Sequence, residues 1–116
     1  SLPLPLRVRN EIVRNLGQGC CGEAEIARAI GLSERSMRRH LSEEHASYAA
    51  ILGTCRHEVA RNLLTVPTLS IDEIALRLDY SDRSAFERSF RRSAGTTPAR
   101  FRQTLGEGPG AAMTQS

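Results

Sequence analysis

The sequence predicts an all-α fold of about seven helices, arranged as two helix-turn-helix subdomains joined by a long linker helix. Three observations carry this. Apolar residues recur at three- and four-residue spacing, and no stretch alternates as a half-buried strand would. A short pattern is written twice, EIARAIGLSERS at 25–36 and EIALRLDYSDRS at 73–84, so that Glu, Ile, Ala, Ser, Arg and Ser recur at an offset of 48 residues. Between the copies, residues 47–65 form a helix-compatible stretch that ends before Pro67. A repeat at such a distance marks two copies of one supersecondary unit, and two such units with an Arg-bearing second helix point to DNA.

The chain opens SLPLPL, in which alternating Leu and Pro disfavour a helix interior. There is no initiating Met, and residues 1–5 are expected to be the remnant of an interdomain linker. The domain proper is placed at 6–105. A first helix is predicted from about Leu6 to Leu16, with Val8, Ile12, Val13 and Leu16 on one side and Gly17 as its stop.

The first helix-turn-helix is placed at about 22–44. Its opening helix, roughly 22–30, gathers Ile26, Ala27 and Ile30, the small Ala allowing a close crossing. Gly31 supplies the left-handed conformation of a sharp turn, and Ser33 is a good N-cap. The helix that follows, about 34–44, turns Met37 and Leu41 inward, leaving Glu34, Arg35, Arg38 and Arg39 on its other faces.

Ser47 can cap the linker helix, whose apolar positions Tyr48, Leu52, Cys55, Val59 and Leu63 step by three or four. Gly53 inside it costs about 1 kcal/mol against Ala. Some ~19 residues give roughly 28 Å of helix, comparable with the ~34 Å turn of B-DNA.

The second unit, about 71–94, is introduced by Ser70-Ile71-Asp72-Glu73, a capping box. Ile74, Ala75 and Leu78 repeat the buried face. Asp79-Tyr80-Ser81 makes the turn, and Ser81 is expected to start the next helix as Ser33 does. Phe86 and Phe90 anchor that helix as Met37 and Leu41 anchor the first, now 49 residues on, so this copy carries one extra residue near the helix start. Arg83, Ser84, Glu87 and Arg88 fall on the open face. Gly95 stops the helix, and Thr97-Pro98 starts a last short one that Phe101 pins to the core. The tail GEGPGAAMTQS, 106–116, is expected to be disordered.

The net charge of +3 favours an anionic partner. All 16 basic residues are Arg, whose planar fork pairs bidentately with phosphate or with the guanine edge. A GC-rich genome also yields Arg in place of Lys, so the argument rests on where the Arg sit. Three cysteines, an odd count, without a secretory segment predict reduced thiols and a cytoplasmic protein. Cys55, His57, His40 and His45 lack zinc-site spacing, so no metal or cofactor is expected. No apolar run is long enough for a bilayer, which argues against a membrane partner. No paired carboxylates, nucleophile–base set or phosphate-cradling loop appears, so no catalytic residues are assigned and no enzyme is expected. Of five aromatics, the core claims Tyr80, Phe86, Phe90 and Phe101, which leaves little to stack on unpaired RNA bases.

Residues 70–102, SIDEIALRLDYSDRSAFERSFRRSAGTTPARFR, resemble the DNA-binding domain of the AraC/XylS family of bacterial transcription regulators. The matching features are an Ile-Ala pair, an aromatic in the turn, two Phe flanking a reading helix, then Gly, Pro and an aromatic-Arg ending. The resemblance covers about 7–103 and implies a seven-helix, homeodomain-like fold. It places base-contacting positions on Arg35, Arg38 and Arg39 in the first unit, and on Arg83, Ser84, Glu87 and Arg88 in the second. Arg39 and Arg88 occupy equivalent places and would read guanine, while Glu87 would accept from a cytosine amino group. Ser33 and Ser81 at helix starts, with Arg91, Arg92, Arg100 and Arg102, are the candidates for backbone phosphates. The implied partners are double-stranded DNA, RNA polymerase, and an N-terminal effector-binding or oligomerisation domain. The family usually has Gly where this chain has Asp79; Asp tolerates the left-handed region, so the turn should survive. The alternative is a helical interaction module whose Arg faces meet RNA polymerase or another acidic protein surface.

Overall fold

The computed structural model describes residues 2–19 and 21–106. Among them, seven helices hold the regular structure: α1 Leu4–Asn15, α2 Glu23–Ala29, α3 Glu34–Glu43, α4 Tyr48–Leu63, α5 Ile71–Arg77, α6 Arg83–Ala94 and α7 Pro98–Gly106. They divide into two compact units, Ser1–Glu58 and Val59–Ser116, with the residues of α4 shared between them. The all-α expectation holds. The tail beyond Gly106, and Cys20, lie outside the described residues.

In the first unit, Val8 and Ile12 of α1, Ile26 and Ala27 of α2, Met37 and Leu41 of α3 and Cys55 of α4 form one buried cluster. Each large apolar side chain so buried contributes roughly 1.5–3 kcal/mol by removal from water. Tyr48 closes the cluster by donating its hydroxyl to the Cys21 carbonyl oxygen, and burial pushes its pKa up. α1 begins at Leu4, two residues before the expected Leu6. Pro3 stands at the N-cap and Pro5 in the first turn, where a backbone N–H would have no intrahelical acceptor. Val13 was expected inward but is 43% exposed; Val8 and Ile12 alone fill the buried stripe. Ser47 caps α4 by accepting from Ala50 N–H at 3.1 Å.

The turn between α2 and α3 follows from Gly31, whose φ is +80°. That left-handed residue lets Leu32 N–H reach back to the Ala27 carbonyl at 2.9 Å, a helix-end acceptor that also takes Ile30 N–H at 3.2 Å. Ser33 then accepts from Ser36 N–H at 3.1 Å and starts α3.

The second unit builds its core from Ala60, Leu64, Ile71, Ile74, Ala75, Leu78, Phe86 and Phe90. Leu63, expected to close the apolar stripe of α4, is half-buried, and its neighbour Leu64 is buried instead. Four residues after the buried Ala60, Leu64 lies on that residue's side of the chain. Both halves of the Ser70–Glu73 capping box are present, each bond at 3.0 Å. Asp79, at φ +63°, makes the turn, and Tyr80 N–H bonds the Ala75 carbonyl at 3.0 Å.

The start of α6 corrects an expectation. Its cap is Asp82, whose Oδ1 accepts from Ala85 N–H at 2.8 Å, and not Ser81. The residue inserted in this copy moves the cap with the helix, so the cap keeps the 49-residue offset of the buried anchors. Gly95, left-handed at φ +78°, ends α6. Thr97 caps α7, accepting from Arg100 N–H at 3.2 Å, and Pro98 is buried behind it. A run of ring contacts, Tyr80–Phe86 at 5.5 Å, Phe86–Phe90 at 5.9 Å and Phe90–Phe101 at 5.4 Å, welds α6 and α7 together.

Candidate nucleic-acid interface

What each second helix presents is decided by what it buries. Met37 and Leu41 are fully buried and fix the rotation of α3; Glu34, Arg35, Arg38 and Arg39 are consequently exposed. Phe86 and Phe90 do the same for α6, leaving Arg83, Ser84 and Arg88 exposed and Glu87 half-buried. With the caps and anchors in register at 49 residues, Arg83 corresponds to Glu34, Ser84 to Arg35, Glu87 to Arg38 and Arg88 to Arg39.

The charges at these positions are not equally available. Arg38 donates from Nε to Glu23 Oε2 at 2.7 Å and from Nη2 to Glu23 Oε1 at 3.4 Å. Glu34 Oε2 lies 3.5 Å from the same Nη2. The hydrogen bond and charge of Glu23 hold the Arg38 pKa above its already high ordinary value. In α6, Arg83 Nε donates to Glu87 Oε2 at 3.1 Å, and Arg83 Nη1 lies 3.9 Å from Asp72 Oδ1. The side chains of Arg35, Arg39 and Arg88 make no hydrogen bond or ion pair among the described residues. Among the base-contacting positions, they are the cations offered outward without first breaking a contact.

Ser33 sits at the N-terminus of α3 with its Oγ engaged in the cap. Ser81 is exposed and stands one residue ahead of the cap of α6. Arg91 and Arg92 are exposed in the last turn of α6, and Arg100 is exposed on α7. Arg102 differs from these. Its Nε donates to the Leu64 carbonyl and its Nη2 to the Val66 carbonyl, both at 3.1 Å, tying α7 to the end of α4.

Sequence reasoning missed the acids that hold the exposed Arg. Glu23 and Arg38 are 15 residues apart and meet only through the turn. The i,i+4 pairs Glu34–Arg38 and Arg83–Glu87 were visible as spacing. Also unseen were the ion pair of Arg9 with Glu58 at 2.6 Å and the guanidinium of Arg61 over the Phe101 ring at 5.4 Å.

Two helix-turn-helix units, each carrying one Arg-bearing helix with a buried apolar side and an open charged side, define the class: a tandem helix-turn-helix protein. The sequence pattern of the family described as "Helix-turn-helix domain" matches residues 26–104, and the chain belongs to that family, in its AraC-type form. The chain is 39% identical over 79 residues to the ornithine utilization regulator of Pseudomonas aeruginosa, covering 68% of this chain and 23% of that protein. It spans about a quarter or less of the length of the first curated relatives it matches. The fold matches a DNA-binding transcriptional dual regulator from Escherichia coli K-12 with a TM-score of 0.87 at 27% identity, over 93% of this chain and 96% of that one. It also matches the DNA-binding domain of AdpA, a global transcriptional factor solved in complex with a target DNA. That match has a TM-score of 0.68 at 27% identity, over 90% of this chain and 94% of that one. Among the described residues, no helix is long and apolar enough to cross a membrane.

Proposed function

We propose that this chain binds double-stranded DNA sequence-specifically as the DNA-binding part of a bacterial transcription regulator. In this reading α3 and α6 enter adjacent major-groove segments, where each base pair shows a distinct pattern of donors and acceptors. The observation that carries it is the pair Arg39 and Arg88, at equivalent positions of the two helices, exposed and without a partner among the described residues. The AdpA domain, of the same fold, supports it by having been solved on a target DNA.

Arg35, Arg38, Arg83, Ser84 and Glu87 flank those two Arg and complete the base-contacting set. Ser33, Ser81, Arg91, Arg92 and Arg100 hold the phosphate backbone, which sets orientation and salt dependence and not sequence choice. Arg102 is the weakest candidate for a phosphate, because two of its donors are committed to carbonyls within the second unit. The domain proper, about 6–105, works in the cytoplasm without catalysis, beside an N-terminal effector or oligomerisation domain and in contact with RNA polymerase.

The test is selection of bound duplexes from a randomised library of about 30 base pairs. Two short blocks about ten base pairs apart are the expected result. A folded chain that enriches no sequence contradicts direct readout and favours an interaction module whose Arg faces bind acidic protein surfaces.

A further inference from the structure

The equivalent charged pairs of α3 and α6 are written in opposite order. Glu34 precedes Arg38, and Arg83 precedes Glu87, each spaced i,i+4. Each pair is joined by an acid from the preceding helix, Glu23 of α2 in one unit and Asp72 of α5 in the other. Both units therefore hold one Arg between two carboxylates. They differ in which group stands at the base-reading position, Arg38 in the first and Glu87 in the second.

We infer that the two helices read opposite bases at this equivalent position: Arg38, buttressed by Glu23, takes guanine, and Glu87, buttressed by Arg83, takes cytosine. The inference rests on the reading of α3 and α6 as groove-binding helices.

The free atoms support it. Glu23 grips Arg38 from its Nε side, through Nε and Nη2, and Nη1 has no partner among the described residues. That is a donor, and the guanine edge in the major groove offers only acceptors, N7 and O6. Arg83 grips Glu87 through Oε2, and Oε1 has no partner among the described residues. That is an acceptor, and the cytosine edge offers the N4 amino donor. A bare carboxylate beside a phosphate backbone would be repelled. Arg83, on the same helix and one turn nearer its start, offsets that charge and holds the carboxylate in place. The two DNA blocks are then not copies of one sequence. They share guanine under Arg39 and Arg88, and differ under Arg38 and Glu87.

The experiment uses the duplex selected by the 116-residue chain and all single base-pair changes within both blocks, read by competition binding. The wild type is expected to prefer cytosine at one position of the second unit's block by about tenfold. Glu87→Gln, near-isosteric on an exposed helix, should lose that preference and accept adenine, leaving the other block unchanged. The exchange Arg83→Glu with Glu87→Arg writes the charge order of α3 into α6 and should turn the preference to guanine. Unaltered base preferences in both variants, each shown to be folded by its helical circular dichroism, would overturn the inference. So would a uniform change of affinity for every duplex. Failure of the underlying reading looks different: the wild type itself then enriches no block.

Discussion

Asp79 holds a left-handed backbone, φ +63°, at the place where Gly31 holds one, φ +80°, 48 residues earlier. The bonds that close the two turns agree to a tenth of an ångström, Leu32 N–H to Ala27 O at 2.9 Å and Tyr80 N–H to Ala75 O at 3.0 Å. The same backbone bond closes both turns, around one left-handed residue in each. Asp bears this region better than most residues, and Ala does not. Asp79→Ala should therefore destabilise the second unit by about 1 kcal/mol, and Asp79→Gly, for which this φ carries no steric cost, should lose less than Asp79→Ala. Denaturant titrations of the three chains check the order.

Asp82, and not Ser81, starts α6. Asp82→Ala should cost about 1 kcal/mol through the lost bond to Ala85 N–H. Ser81→Ala, on an exposed side chain outside the cap, should stay within about 0.5 kcal/mol. Equal losses in the same titration would return the capping role to Ser81.

Arg102 and Arg91 separate structure from phosphate contact. Arg102→Ala breaks two charge-assisted bonds to backbone carbonyls and should lower stability by about 1–2 kcal/mol, leaving the salt slope of DNA binding unchanged. Arg91→Ala should leave stability within about 0.5 kcal/mol and reduce the slope of log affinity against log salt by about 0.9. Binding measured from low to moderate salt, beside unfolding curves, reads both.

Acid should loosen the second unit at Glu73. Its carboxylate accepts the Ser70 backbone N–H, and that bond, then the bond from the Ser70 hydroxyl, lowers its pKa below the ordinary 4.5. A carboxyl whose folded pKa is depressed contributes stability above its ordinary value and loses it as the pH falls through the folded one. Melting midpoints of the wild type should thus fall more steeply below pH 4.5 than those of Glu73→Gln. Parallel acid limbs for the two chains would show that the capping box carries no proton-linked stability.

Much of this was legible because the local signals are periodic or conformational. Met37, Leu41, Phe86 and Phe90 declare themselves by helical spacing, Gly31 and Gly95 by the φ that each turn requires, and Ser70–Glu73 by the capping box. Ser81 was misplaced because Ser-x-x spacing from the first copy was carried over without moving the cap by the inserted residue. Val13 and Leu63 were misplaced because a helix stripe is wider than the strip its neighbours cover. The Glu23–Arg38 and Asp72–Arg83 pairs were not legible at all: such contacts depend on the angle at which two helices cross, which no local spacing encodes. For the same reason the sequence could nominate seven base-reading side chains but not show which arrive free and which arrive held.

The central claim is that each unit reads its own block of DNA, and the equivalent arginines test it most directly. Arg39→Ala and Arg88→Ala are to be measured against every single base-pair change in the selected duplex. Each should cost about 1–3 kcal/mol at one guanine, Arg39→Ala relaxing one block and Arg88→Ala the other. If both variants weaken all duplexes alike, or both relax the same block, the two-headed reading is contradicted.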